Sequence, residues 1–391
     1  MNPLVRVSAT DVPGLTFALR RALSGGPAVW PVPGPTDAIA LEGAGEVDDG
    51  VALVVETSGS TDAPKRVLLS AAALRASAVA TEAALGGPGQ WLLALPGHYI
   101  AGAQVLVRSI VAGTEPVVLD GDGDGFDPAV FAAASAQLER LRPRYTSLVP
   151  VQLSRLLEAA RTDRAVADAL HRFDRILLGG QAASPSLIVA ADALGLRVTR
   201  TYGSSETAGG CVYDGRALDG VHVRIVDGRV ELSGPMLADG YFGDPARTGE
   251  AFATDADGTR WYRTGDLGDL AYDGILRIRG RADDVIISGG VKVALGEVER
   301  AVRAVPGFGD AVVVRVPDAE WGERAAVVAT RTDAAAASDA LTTLVAATAA
   351  AGLPPAARPV RLELLDRLPL LASGKPDRRA LEARMRGGRE A

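Results

Sequence analysis

The 391-residue sequence predicts an α/β protein with a large N-terminal domain and a small C-terminal α+β domain. From residue 51 onward, short apolar runs typical of strands alternate with helical stretches, a pattern that favours sheets covered by helices. Between residues 221 and 280 the pattern changes to short strands separated by turn residues, which predicts a β-rich subdomain. A last block follows, predicted as helix, strand, strand, helix and strand. We therefore predict a domain boundary at Asp283, with residues 1–282 before it and 283–391 after it.

The individual elements follow from runs of letters in chain order. "VALVV" and "KRVLLS" are predicted strands, and Ser70 is the predicted N-cap of the helix "AAALRASAVATEAAL", which ends at Gly86 and Gly87. The strand "WLLAL" then precedes the helix "IAGAQVLVRSIVAG" and the strand "EPVVLD". The strands "RYTSLVP" and "RILLGG" are each followed by a helical run, and "RVTRTYG" closes the series. "VHVRIVDGRVELSG" and "AYDGILRIRG" supply strands of the β-rich part, and the alanine-rich stretch from residue 333 to 352 predicts a surface helix.

Composition excludes several classes of protein. A net charge of -7, without a basic stripe interleaved with aromatic residues, argues against nucleic-acid binding. The single cysteine, Cys211, cannot form an internal disulfide, and the three histidines lie too far apart for zinc-ligand spacing. The N-terminus has no apolar signal core and no run reaches the length of a membrane span. The sequence therefore predicts a cytoplasmic protein.

Lysine is scarce. Of the 41 basic residues only Lys65, Lys292 and Lys375 are lysines, so the composition favours arginine wherever arginine serves. Ammonium is a compact charge on a flexible stem, whereas guanidinium is a planar fork. Chance survival explains any one lysine, but three lysines in candidate chemical loops would indicate a need for the compact charge.

The first of these loops is "ETSGSTDAPKRVLLS". It follows a strand and lacks the GxxxxGK[ST] spacing of an ATPase phosphate loop. Its backbone N–H groups and hydroxyls can nevertheless form an anion-binding nest beside Lys65. A plain connector is an equally good interpretation of this stretch alone. The candidate nest residues are Thr57, Ser58, Gly59, Ser60 and Thr61.

A second loop, "TYGSSETAGG", ends a predicted strand. Tyr202 can stack on a purine, the hydroxyls of Ser204 and Ser205 can reach a phosphate, and Glu206 can bind Mg²⁺ through oxygen. A strand-end turn without a ligand is the alternative.

Three further stretches carry charged residues in turns. In "YRTGD", Asp266 can accept two hydrogen bonds from a ribose diol, although this tripeptide is also an ordinary β-turn. "GRADDVIISGGVKV" combines an arginine, paired aspartates, a glycine pair and Lys292. "LASGKPDR" places Lys375 in a loop before a helix that Asp377 caps.

In this order and spacing, the five stretches resemble the adenylate-forming (AMP-binding) superfamily of acyl-CoA synthetases, peptide-synthetase adenylation domains and luciferases. "TSGSTDAPK" is similar to its phosphate loop, "TYGSSE" to its adenine and magnesium motif, and "YRTGD" to its ribose motif. "GRADD" is similar to its interdomain hinge and "LASGKPDR" to its catalytic lysine loop. The resemblance covers Val51 to the C-terminus and places two of the three lysines in motif loops.

The sequence departs from the family pattern at three points. Only 56 residues precede Thr57, Asp62 stands where the family has glycine, and Ser205 replaces a threonine. The length and the stretch "WLLALPGHYIAGAQVLVRSIVAGTEPVVLD" resemble the short actinobacterial o-succinylbenzoate–CoA ligases of menaquinone biosynthesis.

The resemblance implies a ligase that uses ATP, Mg²⁺ and CoA. A carboxylate would attack the α-phosphorus of ATP to give an acyl-adenylate, and a thiol would then displace AMP. It implies a mobile C-terminal lid that swings about Asp283. The implied catalytic residues are Lys375, Glu206 and Ser205, with Glu206 also the metal ligand. The implied nucleotide-binding residues, besides the nest, are Lys65, Gly180, Gln181, Thr201, Tyr202, Gly203, Ser204, Asp266 and Arg281. Those for CoA are Ser288, Gly289, Gly290 and Lys292.

For the acyl pocket we expect His98, Arg108 and Gly179. Arg108 lies in an apolar helix, where it either binds the non-reacting carboxylate of the substrate or extends to the surface. His98 contacts the substrate or is an ordinary loop histidine. The predicted partner is a small-molecule carboxylate, and a homodimer stays open. Alternatives are another carboxylate substrate, a carrier-protein acceptor, a luciferase-like oxidative enzyme and a nucleotide-binding protein without catalysis.

Overall fold

The computed structural model describes residues 1–34, 45–57, 65–119, 126–331, 339–371 and 375–387. Its strands are β1 Asn2–Ser8, β2 Ala28–Val32, β3 Glu46–Val47, β4 Val51–Thr57, β5 Lys65–Ser70, β6 Gln90–Leu93, β7 Val117–Val118, β8 Arg144–Leu148, β9 Arg175–Leu178, β10 Val198–Ser204, β11 Gly209–Tyr213, β12 Arg216–Ala217, β13 His222–Val226, β14 Arg229–Ser233, β15 Gly240–Tyr241, β16 Phe252–Thr254, β17 Arg260–Leu270, β18 Leu276–Arg281, β19 Val285–Ser288, β20 Val291–Ala294, β21 Val312–Asp318, β22 Gly322–Thr330 and β23 Leu362–Leu365. Its helices are α1 Val12–Leu23, α2 Ala71–Leu85, α3 Ile100–Ala112, α4 Pro128–Ser135, α5 Pro150–Ala159, α6 Arg164–Leu170, α7 Pro185–Ala193, α8 Pro245–Ala251, α9 Leu295–Arg303, α10 Ala340–Ala350 and α11 Arg378–Gly387.

Two sheets form the larger part of the chain. The first has the order β15-β5-β4-β2-β1-β3, and the second has the order β12-β11-β10-β9-β8-β6-β7. Strands β6 to β10 run parallel, so their carboxyl ends meet at one edge of the second sheet. Side chains from both sheets and from α1, α2 and α3 share one buried apolar cluster. In open parallel sheets, ligands bind beyond the carboxyl ends of the strands.

Helix α2 follows the predicted capping chemistry. The Ser70 side chain accepts a hydrogen bond from the Ala73 N–H, which satisfies one of the free donors at the helix start. The helix ends where Gly86 adopts a left-handed conformation with φ 94°. The predicted cap, helix and stop are confirmed.

The third sheet has the order β13-β14-β17-β16, with β18 paired to β17, and occupies the predicted β-rich region. The fourth sheet has the order β20-β19-β22-β21, with β23 paired to β22, and lies wholly beyond Asp283. Helix α9 packs its apolar face on this sheet through Val298 and Val302. The predicted α/β fold with a C-terminal α+β unit is confirmed.

The predicted order of helix, strand, strand, helix and strand is confirmed in α9, β21, β22, α10 and β23, and the helix expected after Asp377 is α11. The prediction missed the hairpin β19–β20, which lies between Asp283 and α9. The two hairpin strands have four residues each and enclose Gly289 and Gly290, both at positive φ. Runs this short show no clear alternation, which is why the sequence pattern did not reveal them.

Among the described helices, none is long and apolar enough to cross a membrane.

Candidate active site

The phosphate-loop stretch begins and ends on paired strands. Thr57 at the end of β4 pairs with Lys65 at the start of β5. Lys65 Nζ lies 5.6 Å from the ring centre of Tyr241, which is within range of a cation–π contact. The predictions for Ser58, Gly59, Ser60 and Thr61, and the departure at Asp62, lie outside the described residues.

Glu206 lies in a tight turn at the carboxyl end of β10. The turn Ser205–Thr207 is one 3-10 segment, and Thr207 Oγ1 accepts a hydrogen bond from the Ser204 N–H. Glu206 is 6% exposed, and its Oε1 accepts a hydrogen bond of 2.9 Å from the Tyr241 hydroxyl. The turn thus holds a buried carboxylate in a defined direction.

Two buried side chains form hydrogen bonds with the residue that follows this turn. Ala208 adopts a left-handed conformation with φ 49°, which costs energy for a residue other than glycine. Its carbonyl accepts hydrogen bonds from Gln104 Nε2 at 2.6 Å and from Ser77 Oγ at 2.9 Å. Helices α2 and α3 therefore stabilise the strained end of the turn.

Asp266 connects the adenine motif to the β-rich region. Its Oδ2 accepts a hydrogen bond of 2.6 Å from the Tyr202 hydroxyl, and its Oδ1 lies 3.4 Å from Arg281 Nη1. Burial raises the pKa of Asp266, and the hydrogen bonds from Tyr202 and Arg281 oppose this rise. The predicted adenine and ribose residues are therefore in direct contact.

The same guanidinium reaches the predicted hinge. Arg281 Nε and Nη2 donate to the two carboxylate oxygens of Asp283 at 3.0 and 3.2 Å, a bidentate pair. Although burial opposes it, the hydrogen bonds from Arg281 lower the pKa of Asp283. The Asp283 carbonyl also accepts a hydrogen bond of 2.6 Å from Arg315 Nη2 in the C-terminal part. Asp283 is thus bound from both sides of the predicted boundary.

Lys375 is influenced by the charges of this same cluster. It keeps part of its side chain in solvent, yet the surrounding protein excludes water from the amine and so lowers the pKa of Lys375. The carboxylates of Glu206 and Asp266 act in the opposite direction on that pKa, and Arg281 lowers it further. Lys375 therefore lies in the electrostatic field of residues from both other motifs. Residues 372–374 lie outside the described part.

The glycines at the ends of β9 and β10 lie very close to atoms of the neighbouring strands. A Cβ on Gly179 would lie 2.4 Å from Thr201 Oγ1, and one on Gly203 would lie 2.1 Å from the Gly209 carbonyl oxygen. Gly180 has φ 82°, a conformation that favours glycine. Gln181 follows it directly in the chain and is half-buried. These positions require glycine for packing, whatever ligand they contact.

His98 and Arg108 lie in different surroundings. The His98 ring lies 4.1 Å from that of Tyr99, its Nδ1 has no hydrogen-bond partner among the described residues, and burial lowers its pKa. Arg108 is 3% exposed, so the alternative that it extends to the surface is wrong. Its guanidinium lies 5.0 Å from the ring centre of Trp91, and its Nε has no hydrogen-bond partner among the described residues. Burial lowers the pKa of Arg108, and the charges of Tyr213 and Glu82 oppose this change.

The predicted CoA loop is the tip of the β19–β20 hairpin. Ser288 is buried and Lys292 is exposed. A Cβ on Gly289 would lie 2.7 Å from the Trp321 ring, so the turn packs tightly against that indole. Within the described residues, no hydrogen bond or ion pair joins a side chain of this hairpin to the Glu206 or Asp266 carboxylate.

Sequence reasoning missed Tyr241. It lies in a two-residue strand, β15, which is too short to show periodicity. Only its place beside β5, seen in the structure, reveals that it touches Lys65 and Glu206.

Comparison with known proteins gives consistent matches. The family model for AMP-binding enzymes matches residues 30–242, and the model for the AMP-binding enzyme C-terminal domain matches residues 297–375. A probable 2-succinylbenzoate–CoA ligase of Mycobacterium tuberculosis is 43% identical over 95% of this chain and 94% of its own length. A 2-succinylbenzoate–CoA ligase of Listeria monocytogenes is 31% identical over 85% of this chain and 70% of its own. The o-succinylbenzoate CoA synthetase of Bacillus subtilis, solved with its acyl-adenylate OSB-AMP, has a TM-score of 0.70 and 26% identity, covering 90% of this chain and 74% of its own.

Proposed function

This chain belongs to the AMP-binding enzyme family, and from that premise we propose that it is an ATP-dependent 2-succinylbenzoate–CoA ligase acting through an acyl-adenylate. The observation that carries the proposal is that the charges of Glu206 and Asp266 act on Lys375, one cation and two carboxylates from three separate motifs. The identity of the proposed substrate comes from the names of the relatives.

The reaction would begin with the acid in line with the α-phosphorus of ATP. The Lys375 ammonium would hold an oxygen of the acid and one of the α-phosphate, and so stabilise the charge that develops as the P–O bond to pyrophosphate breaks. Lys65 would bind the outgoing phosphates, together with the nest residues and the Ser205 hydroxyl. Asp266 would accept hydrogen bonds from the ribose diol, and Tyr202, with Gly180, Gln181, Thr201, Gly203 and Ser204 around it, would bind the adenine side.

The residues also fit Mg²⁺. The Tyr241 hydroxyl donates a hydrogen bond to Oε1 of Glu206, so Oε2 is the oxygen available to a cation. The described residues contain no group of three or more metal-ligating side chains, which suits a cation that takes its other ligands from phosphate and water. Bound Mg²⁺ would neutralise negative charge on the triphosphate.

Thioester formation would follow a movement of the C-terminal lid that exchanges the Lys375 loop for the β19–β20 hairpin. We propose Asp283 as the hinge, because Arg281 and Arg315 bind it from the two parts of the chain. A swing about this residue would bring the hairpin residues Ser288, Gly289, Gly290 and Lys292 towards the adenylate. Lys292 would then hold CoA while its thiol displaces AMP.

The lowered pKa of Lys375 gives a pH prediction. Only the ammonium form stabilises developing phosphate charge, so adenylate formation should slow as pH rises through a pKa below that of an ordinary lysine. Lys375→Arg, which stays charged, should lose this alkaline decline even if its rate is lower. Rapid-quench rates of adenylate formation between pH 6 and roughly pH 10 measure both. An identical decline in the arginine variant would assign it to another group.

The contacts of Arg108 predict a structural role for that residue. Arg108→Met keeps most of the side-chain volume beside Trp91 and removes a charge that is buried without a close ion pair. We expect the Michaelis constant for 2-succinylbenzoate to change less than about twofold, because the ring contact of the guanidinium is with Trp91 and not with a residue of the Lys375, Glu206 and Asp266 cluster. An increase of tenfold or more in this Michaelis constant would show that Arg108 contributes to binding of the acid.

A substrate screen tests the proposed function. Pyrophosphate release is measured with 2-succinylbenzoate, benzoate, fatty acids and amino acids, each with and without CoA. We expect 2-succinylbenzoate to give the highest kcat/KM and CoA to be required for turnover. A preference for an amino acid, or turnover with a carrier protein in place of CoA, would overturn the proposal.

A further inference from the structure

Tyr241 contacts two opposite charges of the site at once. Strand β15 pairs with β5 so that Tyr241 lies opposite Val67, two residues beyond Lys65. The Lys65 ammonium lies 5.6 Å from the ring centre, and the hydroxyl donates to Glu206 Oε1 at 2.9 Å. The N–H of Ala238, three residues earlier, donates to the backbone carbonyl of Glu206 at 2.8 Å. The segment 238–241 therefore binds Glu206 at both its backbone and its side chain.

We propose that Tyr241 is a positioning residue that keeps Lys65 and Glu206 apart before ATP binds. This role rests on the proposed function, in which Lys65 binds phosphate and Glu206 binds Mg²⁺. Opposite charges in a partly buried site attract strongly, so a direct Lys65–Glu206 ion pair would have to be broken by each incoming MgATP. Within the described residues, no ion pair joins the two. The ring instead contacts the ammonium and the hydroxyl occupies one carboxylate oxygen.

The tyrosine itself is held in place. Its N–H donates to Thr248 Oγ1 at 2.9 Å, and its ring packs 6.2 Å from that of Phe252. The residue is 6% exposed, so its ring cannot leave the space between the two charges without disturbing the core. A rigid aromatic spacer thus leaves Lys65 and the second oxygen of Glu206 directed at the ligand.

Isothermal titration calorimetry of the full chain with α,β-methylene-ATP tests this role, with Mg²⁺ and again with EDTA. Tyr241→Phe keeps the spacer and loses the hydroxyl, so it should bind about 10-fold more weakly with Mg²⁺ and normally in EDTA. Tyr241→Leu loses the spacer as well and should bind more weakly in both. Adding Glu206→Gln to Tyr241→Leu removes the charge that would capture Lys65 and should restore the affinity in EDTA.

Tyr213→Phe is the matched control. It removes another buried tyrosine hydroxyl, which hydrogen bonds Thr81 at 2.9 Å away from the two charges, and should bind as the wild type does. A Tyr241→Phe variant with the same Mg²⁺ dependence as this control would overturn the role, as would failure of Glu206→Gln to restore binding. The titration needs neither acid nor CoA, so an incorrect acyl substrate would leave its result unchanged. Absence of nucleotide binding by the wild type would overturn both the role and the proposed function.

Discussion

Lys375→Ala is expected to slow acyl-adenylate formation about 100-fold or more, while thioester formation from a supplied adenylate stays close to the wild-type rate. The reason is that Lys375 is the cation from the C-terminal part that lies in the field of Glu206 and Asp266. We propose that it acts where charge develops on the α-phosphate, and this charge no longer exists once the adenylate has formed. Single-turnover measurements of the two half-reactions separate these rates.

Lys292→Ala is the reciprocal control. Lys292 lies exposed on the hairpin that we propose reaches the site only after the lid has moved. Its loss should slow the thioester half-reaction and leave adenylate formation unchanged. If Lys375→Ala slowed both half-reactions equally, the assignment of the two lysines to different half-reactions would be wrong.

Asp266→Asn is expected to raise the Michaelis constant for ATP by about 100-fold, with a smaller effect on kcat, because two charge-assisted hydrogen bonds to the ribose are weakened. The amide keeps the shape of the side chain and can still accept the hydrogen bond that Tyr202 now donates to Oδ2. The bidentate pair between Arg281 and Asp283 should persist, although Arg281 Nη1 loses its 3.4 Å ion pair with Asp266 Oδ1. Initial rates at varied ATP concentration measure both constants.

Asp269→Asn provides the control on the same strand, β17. Asp269 is an exposed carboxylate 3.4 Å from Arg279, outside the site. Its replacement should leave both constants unchanged, since exposed ion pairs contribute little. If Asp266→Asn had the same Michaelis constant for ATP as this control, Asp266 would not be a ribose-binding residue.

The sequence was most informative where local chemistry and function coincide. Ser70 and Asp377 cap the predicted helices because a hydroxyl or carboxylate accepts the free N–H groups of the first turn. The motif residues Glu206 and Asp266 were recognisable because a carboxylate beside glycine and hydroxyl residues is chemically conspicuous. The five motifs implied that Lys375 acts beside these two carboxylates, and their charges do raise the pKa of that lysine against the effect of burial.

Long-range placement was less accessible. Residues 1–34 supply β1 and β2 to the first sheet and form α1, but these elements precede the region where alternation was clear. Arg108 was expected at the acyl pocket because an arginine in an apolar helix needs a partner, yet helix periodicity cannot say which neighbouring element supplies it. In the structure the guanidinium lies over the ring of Trp91 on β6. Tyr241 depends on the pairing of β15 with β5, more than 170 residues apart in sequence, which no local pattern encodes.

The most direct measurement of the proposed function is a single-turnover experiment with [α-³²P]ATP, Mg²⁺ and 2-succinylbenzoate, followed by addition of CoA. We predict that a labelled 2-succinylbenzoyl-adenylate accumulates without CoA, in an amount equal to the enzyme sites. On adding CoA it should convert to AMP and the CoA thioester in equal amounts. Formation of labelled ADP, or of the thioester without any preceding adenylate, would contradict the account.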